Sequence, residues 1–277
     1  MKNQAGKKTT FSVISLFLVV IWLVPIIITV LISFKSMDVI STSNSWFALP
    51  ESFHFNNYIK AWQEGNMSRY SLNSFIITSV SVIGTLFLSS LSAFALSWYK
   101  FKLQKFFLIM FIAGMLIPVQ MVIIPVFNLY NKTGLYNTYL GIIMVNLAFQ
   151  LGFCTFFLRN FMITIPKSLF EAGKIDGASD FTIYWKIMMP LISPALAALG
   201  ILQFTWIWND YLWSLVLVQS DNLKPVTLGL ANLQGKWVTD WTIVASGSII
   251  AALVPIVIFL LFQKYFIDGL TVGSVKG

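Results

Sequence analysis

Long runs of apolar residues alternate with short polar segments along this 277-residue chain. A helix needs roughly 20 mostly apolar residues to cross the hydrocarbon core of a bilayer, and six of the runs reach that length. Within each run the apolar residues are continuous rather than alternating with polar ones, which disfavours the strands of a membrane barrel. We therefore predict six membrane-spanning helices, at residues 11–33 (TM1), 75–98 (TM2), 106–130 (TM3), 139–161 (TM4), 191–218 (TM5) and 243–266 (TM6).

The intervening segments complete the predicted organisation of an all-α integral membrane protein. Residues 1–10 precede the first span, 34–70 form a long loop, 71–267 form the transmembrane core, and 268–277 form a tail. Placing residues 1–10 in the cytoplasm puts 12 of the 18 Lys and Arg residues on the cytoplasmic side, as the positive-inside rule favours. Both termini are then cytoplasmic, and the aromatic-rich loop 34–70 is external. That loop either anchors in the membrane interface or meets an external partner. The run 11–33 is longer than the 7–15 apolar residues of a cleavable signal, so we interpret it as an uncleaved span.

Composition narrows the possible functions. Hydrophobic residues make up 57% of the chain and charged residues 10%, whereas soluble domains carry about 25% charged residues. The net charge of +8 comes from basic residues beside the apolar runs, where they orient the chain in the membrane, so we expect no nucleic-acid partner. A single cysteine (Cys154) and a single histidine (His54) leave no basis for a disulfide framework or a metal site. We expect Cys154 to be a small buried side chain.

The loop at residues 163–190 has more internal pattern than a simple connector. Pro166 suits the first turn of a helix, and the following residues are compatible with that helix. The pair Asp176-Gly177 predicts its end, because glycine accepts a positive φ, and Ser179 suits the N-cap of a second helix. This pattern predicts a helix–turn–helix on the membrane face, and such an amphipathic hairpin could simply pack against lipid.

The residues of this loop resemble the EAA loop of the permeases of ATP-binding-cassette (ABC) importers. The matching positions are Glu171, Ala172, Gly173, Asp176, Gly177, Ala178, Tyr184, Ile187 and Pro190, at the family's spacing. Gly173 replaces the third small residue, Tyr184 stands where Phe is usual, and Met189 precedes Pro190 in place of Leu. The carboxyl-terminal residues are similar to the end of maltose-type carbohydrate permeases. The resemblance implies a type I ABC-importer permease fold with six transmembrane helices, in a bacterial plasma (inner) membrane.

The resemblance also implies partners and roles. In this family the loop is a cytoplasmic coupling helix that docks on an ATPase subunit, and the tail residues Thr271, Gly273 and Lys276 are expected to reach that subunit. Glu171 would pair with a basic group, small residues would enter a groove, and Asp176 would either take part in docking or cap the second helix. The implied assembly contains a second homologous permease, two copies of the ATPase and an extracytoplasmic sugar-binding protein.

Nothing in the sequence supplies catalysis by the chain itself. Each Gly-Lys pair lacks the following Ser or Thr of a phosphate-cradling loop. We therefore expect a non-catalytic subunit that binds no cofactor or metal, with ATP and Mg used by the partner ATPase.

Polar residues inside the predicted spans are candidates for the substrate path, because such residues are costly in a bilayer. Amide groups and an aromatic face suit a carbohydrate, although hydrogen bonding between helices explains the same residues. A permease for a different solute and an ion-gradient-driven transporter remain the alternatives. The candidates are Asn146 and Gln150 in TM4, and Gln203, Trp206, Asn209 and Asp210 in TM5.

Overall fold

The computed structural model describes residues 2–43, 46–234 and 239–271, with side chains for 11–41, 46–234 and 239–264. Within these ranges the chain is helical and has no strand, as predicted. The helices are α1 (Lys2–Ser33), α2 (Met37–Ser43), α3 (Asn56–Gln63), α4 (Met67–Trp98), α5 (Gln104–Leu116), α6 (Val119–Thr133), α7 (Tyr139–Met162), α8 (Lys167–Ile175), α9 (Asp180–Ile183), α10 (Met189–Trp208), α11 (Leu212–Leu217), α12 (Val226–Asn232) and α13 (Trp241–Thr271). A π-helical turn, Tyr184–Met188, joins α9 to α10, and a 3-10 turn occupies Asp221–Leu223.

By length and composition, five helical stretches in the described chain can cross a membrane. They are Phe11–Ser33, Met67–Trp98, Tyr139–Met162, Asp180–Trp208 and Trp241–Lys264. A sixth candidate is the pair α5 and α6, which meet at a bend of 102°. The all-helical, multi-span fold class is therefore confirmed.

Two of the predicted spans are interrupted in the structure. Within the predicted 106–130 span, Ile117 is extended (φ −76°, ψ 118°) and ends α5. The cause is Pro118, because proline disfavours the helical region for the residue before it. Within the predicted 191–218 span, α10 ends at Trp208 and α11 begins only at Leu212.

The second arm of the predicted hairpin is not separated from the next span. It continues through the π turn into α10 as one helical stretch. The Met189 N–H donates to the Tyr184 carbonyl, which is the wider π spacing. Pro190 lies in the first turn of α10, where its missing N–H costs little. Pro194 cannot donate to the Pro190 carbonyl, and the Ser193 hydroxyl donates to it instead at 2.9 Å.

The chain divides into two compact units. The first unit comprises Met1–Ser68 and Gly229–Leu253. In it the segment after α1 is folded rather than extended: the Asn57 amide donates to the Ser33 and Lys35 carbonyls at 2.9 and 2.8 Å. The Ser33 hydroxyl lies 2.8 Å from the Tyr58 hydroxyl, so the predicted loop 34–70 has an ordered, hydrogen-bonded start.

The second unit comprises Arg69–Leu228 and Val254–Gly277. Its main core is formed by α4, α7, the π turn and α10, with α8 packed at its edge. Cys154 is buried there, as expected. The buried residues of this core are Ala93, Phe94, Cys154, Leu158, Met162, Ile183, Tyr184, Met188, Ile192, Ala195 and Leu199.

Candidate functional site: a helical hairpin and a polar helix face

The hairpin at residues 163–190 consists of α8, a tight turn and α9. Gly177 has φ +76°, and the Ala178 N–H closes the turn by donating to the Gly173 carbonyl at 2.9 Å. The Ser179 hydroxyl accepts from the Thr182 N–H and caps α9. Ser179 therefore has the capping role that was one alternative for Asp176. An ion pair between Lys174 and Asp180 joins the two arms.

The two glycines of the hairpin have different physical roles. Gly173 is buried between the arms, and a Cβ there would lie 3.0 Å from the Ile187 Cδ1 and 3.3 Å from the Ile183 Cγ1. A Cβ at Gly177 would have nothing within 4 Å, but the positive φ favours glycine. Gly173 thus lets the arms approach each other, and Gly177 lets the chain turn. The sequence had grouped both as residues that fit a partner's groove.

The exposed end of the hairpin is partly apolar. Ile175 is 86% exposed and Phe181 is 73% exposed, and neither was among the predicted docking residues. We call this end the tip surface; its exposed residues are Glu171, Ala172, Ile175, Asp176, Gly177 and Phe181.

The other predicted docking residues lie at the base of the hairpin or away from the tip. Ala178 is half-buried and Pro190 is exposed in the first turn of α10. Tyr184 is buried, with its ring centroid 5.4 Å from that of Phe94 and its hydroxyl 2.7 Å from the Ser90 hydroxyl. Tyr184 thus connects the hairpin to α4.

The residues predicted for a substrate path do not form one continuous lining. Gln203 is fully buried, and neither its amide nitrogen nor its oxygen has a hydrogen bond in the described chain. Trp206, one turn later, is 45% exposed and lies 5.2 Å from the Phe153 ring. Asn209 is exposed, and its side chain donates to the Thr205 carbonyl at 2.8 Å. Of the TM5 candidates, only Trp206 and Asn209 offer an exposed aromatic and amide pair.

Asp210 has a structural role at the break after α10. Its carboxylate accepts from the Trp213 N–H at 3.4 Å and from the Ser214 N–H at 3.3 Å, which caps α11. Its carbonyl accepts from the Thr227 hydroxyl at 2.7 Å. These bonds lie within the chain and stabilise the break after α10.

The TM4 candidates are similarly inward-facing. Asn146 is buried and donates to the Ile142 carbonyl of its own helix at 2.9 Å, and Gln150 is half-buried. On α4, the hydroxyls of Ser81 and Thr85 are buried and, like Gln203, have no hydrogen bond in the described chain. The sequence had not singled out these two hydroxyls as path candidates.

The tail residues predicted to reach the ATPase lie at or beyond the last residue that the structure describes. Thr271 is the last residue of α13, and its side chain lies outside the described residues, as do Gly273 and Lys276.

Comparison with known proteins gives consistent matches over the full chain. The family described as "Binding-protein-dependent transport system inner membrane component" matches residues 85–271. A probable ABC transporter permease protein of Bacillus subtilis (strain 168) is 34% identical over 276 residues, covering 100% of this chain and 91% of the relative. An arabinooligosaccharides transport system permease protein of Halalkalibacterium halodurans is 34% identical over 263 residues, covering 94% of each.

A third relative and one solved structure are also similar to this chain. A diacetylchitobiose uptake system permease protein of Streptomyces coelicolor is 31% identical over 284 residues, covering 99% of this chain and 92% of the relative. A chain from the crystal structure of a bacterial ABC transporter involved in the import of the acidic polysaccharide alginate superimposes with a TM-score of 0.81. It is 24% identical, and the match covers 92% of this chain and 96% of that one, so it shows the shared fold.

Proposed function

The chain belongs to the binding-protein-dependent transport system inner membrane components, and on that premise we propose that it is the permease subunit of an ABC importer and forms half of the path for a sugar or oligosaccharide. Named relatives handle arabinooligosaccharides and diacetylchitobiose, which supports the substrate class. Transport proceeds by alternating access, driven by a separate ATPase.

The tip surface is the single observation that carries the coupling role. An apolar side chain such as Ile175, 86% exposed at the end of a capped turn, loses nothing by leaving water and gains from burial in a partner. Glu171 and Asp176 on the same surface offer carboxylates to a basic rim. Three contacts make the hairpin rigid: the ion pair between its arms, the close packing of the arms at Gly173, and the hydrogen bond between Tyr184 and Ser90. A rigid-body displacement of the tip would therefore be transmitted to α4 and α10.

The tip surface is tested by purification of the tagged chain from native membranes in mild detergent. Wild type and Ile175→Leu should bring down an ATPase with a phosphate-cradling loop and a second, homologous permease. Ile175→Asp should lose the ATPase and keep the second permease, because burying an unpaired carboxylate in an apolar groove is costly. Gly177→Asp should have the same effect. A wild-type chain that purifies alone and moves solute in vesicles without ATP supports a gradient-driven transporter instead.

The sugar assignment rests on the exposed pair Trp206 and Asn209. An aromatic face stacks on the apolar face of a pyranose, and an amide both donates to and accepts from its hydroxyls. With the complete importer in vesicles, Trp206→Ala should reduce oligosaccharide uptake while Trp206→Phe retains most of it. Equal uptake by both variants would remove Trp206 from the path, and uptake of only a non-sugar solute would favour a permease for a different substrate.

We further propose that both termini and the hairpin lie in the cytoplasm of a bacterial cell, and that an external binding protein delivers the substrate. Labelling tests the orientation simply, because the only native cysteine, Cys154, is buried. A cysteine placed at Lys8 or at the exposed Lys186 should react only in permeabilised cells, and one placed at Lys60 should react in intact spheroplasts.

A further inference from the structure

The segment between the end of α10 and the first turn of α12 forms a loop whose two ends meet. The Thr227 hydroxyl donates to the Asp210 carbonyl at 2.7 Å, across a separation of 17 residues along the chain. We call residues 210–227 the closed loop; it contains α11 and the 3-10 turn. The exposed pair Trp206 and Asn209 lies directly before it, at the end of α10.

Asn137, in the connection between α6 and α7, holds the middle of the closed loop with both its backbone and its side chain. Its N–H donates to the Leu217 carbonyl at 2.9 Å. Its side-chain oxygen accepts from the N–H groups of Gln219 and Ser220 at 3.0 and 2.9 Å. Its side-chain nitrogen donates to the Ser220 hydroxyl at 2.6 Å. One residue therefore satisfies the backbone groups that follow the end of α11.

The backbone of Asn137 is strained in the conformation that makes these bonds. Its φ is +56°, in the left-handed region that most residues avoid. Strain of this kind persists where the surroundings determine the conformation, and it is frequent at functional sites. Asn66, with φ +53°, is the other non-glycine residue of this kind in the described chain, and its exposed side chain has no hydrogen bond there. The strain at Asn137, unlike that at Asn66, accompanies a set of specific contacts.

The start of α4 holds the far part of the closed loop. Asn73 is buried, and its side-chain nitrogen donates to the carbonyls of Asn222 and Lys224, both at 2.9 Å. The Ser74 hydroxyl accepts from the Val226 N–H at 2.8 Å. The closed loop is therefore fixed to α4 as well as to the connection before α7.

These contacts fix the residue that follows the exposed pair. The Asp210 carboxylate caps α11 and its carbonyl closes the loop, so Asp210 cannot shift unless these bonds break. Asn209 directly precedes Asp210, at the interruption between α10 and α11. Substrate sites of membrane transporters commonly lie at interrupted helices. We propose that Asn137 is a positioning residue of the substrate path: by holding the closed loop it fixes Asn209 at the end of α10. This inference rests on the proposed function, in which Asn209 contacts a sugar.

Hydrogen–deuterium exchange of the full chain in nanodiscs tests the contact without transport. Asn137→Gly keeps the positive φ and removes the side chain, so exchange at Gln219 and Ser220 should become roughly five-fold faster. Asn137→Asp keeps an oxygen acceptor for both N–H groups and should retain slow exchange. Asn66→Gly is the matched control, because it makes the same change at the same backbone conformation, and exchange there should match wild type. Equal exchange in wild type and Asn137→Gly overturns the proposal.

Uptake by the complete importer in vesicles tests the positioning role. The probe is an arabinooligosaccharide or diacetylchitobiose, whichever the wild type transports. Asn137→Gly should lower uptake about five-fold, because the path loses its preorganisation, and Asn137→Asp should retain most of it. In an Asn209→Ala background, Asn137→Gly should have no further effect, since a residue that acts through Asn209 has nothing left to position.

The outcomes distinguish this inference from the proposed function. Normal uptake by Asn137→Gly, or effects of Asn137→Gly and Asn209→Ala that multiply in the double variant, overturns the positioning role while the sugar path stands. Normal uptake by both Asn209→Ala and Trp206→Ala removes the sugar contact itself. That result overturns the inference together with this part of the proposed function, even if the exchange data show that Asn137 holds the loop.

Discussion

The hydrogen bond between Ser90 and Tyr184 allows an asymmetric prediction. The Ser90 hydroxyl has one proton, and it donates that proton to the Phe87 carbonyl at 2.8 Å. Either hydroxyl could donate across the 2.7 Å contact between Ser90 and Tyr184. With the Ser90 proton on the Phe87 carbonyl, we assign Tyr184 as the donor. Removing one partner therefore does not have the same consequence as removing the other.

The magnitudes follow from what each variant leaves unpaired. Tyr184→Phe removes the donor and leaves Ser90 bonded to its own helix, so we expect a loss of about 0.6 to 1 kcal/mol in the free energy of unfolding. Ser90→Ala leaves the buried Tyr184 O–H without an acceptor, which costs about 1–3 kcal/mol. The better helix propensity of Ala offsets roughly 0.5 kcal/mol of that. The double variant should resemble Tyr184→Phe, because nothing buried is then left unpaired.

The assay is unfolding of the detergent-solubilised chain by sodium dodecyl sulfate in mixed micelles, followed by far-ultraviolet circular dichroism. Ser92→Ala is the matched control, because Ser92 bonds the Leu88 carbonyl of the same helix at 2.9 Å and has no partner on another helix in the described chain. A Tyr184→Phe variant less stable than Ser90→Ala would refute the assigned direction of the bond. A coupling energy near zero in the double-mutant cycle would show that the bond contributes nothing in the folded chain.

Four further outcomes are expected from other residues. Gly177→Ala should destabilise the hairpin by about 1 kcal/mol because of its positive φ. Gly173→Ala should also destabilise it, because its Cβ would lie 3.0 Å from the Ile187 Cδ1 and 3.3 Å from the Cγ1 of the buried Ile183; limited proteolysis of the hairpin measures both effects. Asp210→Ala should cost about 1 kcal/mol by removing the α11 cap, with Asp210→Asn intermediate, in the same unfolding assay. Gln203→Leu should raise stability by about 1–3 kcal/mol, since it removes two unpaired buried polar atoms, and a simultaneous loss of uptake would show that Gln203 serves transport. The hydrogen bond from Lys224 holds the pKa of the Asp221 carboxyl below its usual value, so its stabilisation is present at neutral pH and is lost as pH falls through that lowered pKa; Lys224→Met should reduce this loss in thermal unfolding measured across acidic pH.

The sequence predicted those features that depend on neighbours along the chain. The hairpin turn follows from Asp176-Gly177 and the cap from Ser179, and the structure has both. Helix content and most span positions follow from apolar runs, since only a helix satisfies its own backbone groups in lipid.

Features that depend on distant residues were not predictable in the same way. Gln203 and Trp206 were both predicted to line the path in TM5, yet packing buries the first and exposes the second. Residues 97–104 and residues 167–171 line one pocket at the base of the hairpin, a proximity that no local pattern encodes. Residues 106–130 were predicted as one continuous span, and only the structure shows that the chain bends by 102° at Pro118.

The same limit applies to the tip surface. The sequence identified Glu171 and Ala172 by their resemblance to a family motif, and that motif does not include Ile175. Phe181 lies outside that motif as well. An apolar side chain indicates a docking surface only when the packing shows that it is exposed. Ile175 and Phe181 were therefore identified as docking candidates from the structure and not from the sequence.

The π turn at Tyr184–Met188 has a consequence for how this gene can vary in length. It holds one more residue than an α-helical turn would, and each residue of an α-helix advances the side chains by about 100°. Loss of a single codon within it would restore α-helical winding and leave the hairpin and α10 in their present orientation, because the wider turn already absorbs the extra residue. Loss of a codon in the regular part of α10 would instead rotate the hairpin about the helix axis by roughly 100°. Single-residue deletions should therefore be tolerated better in the π turn than in the helix that follows it.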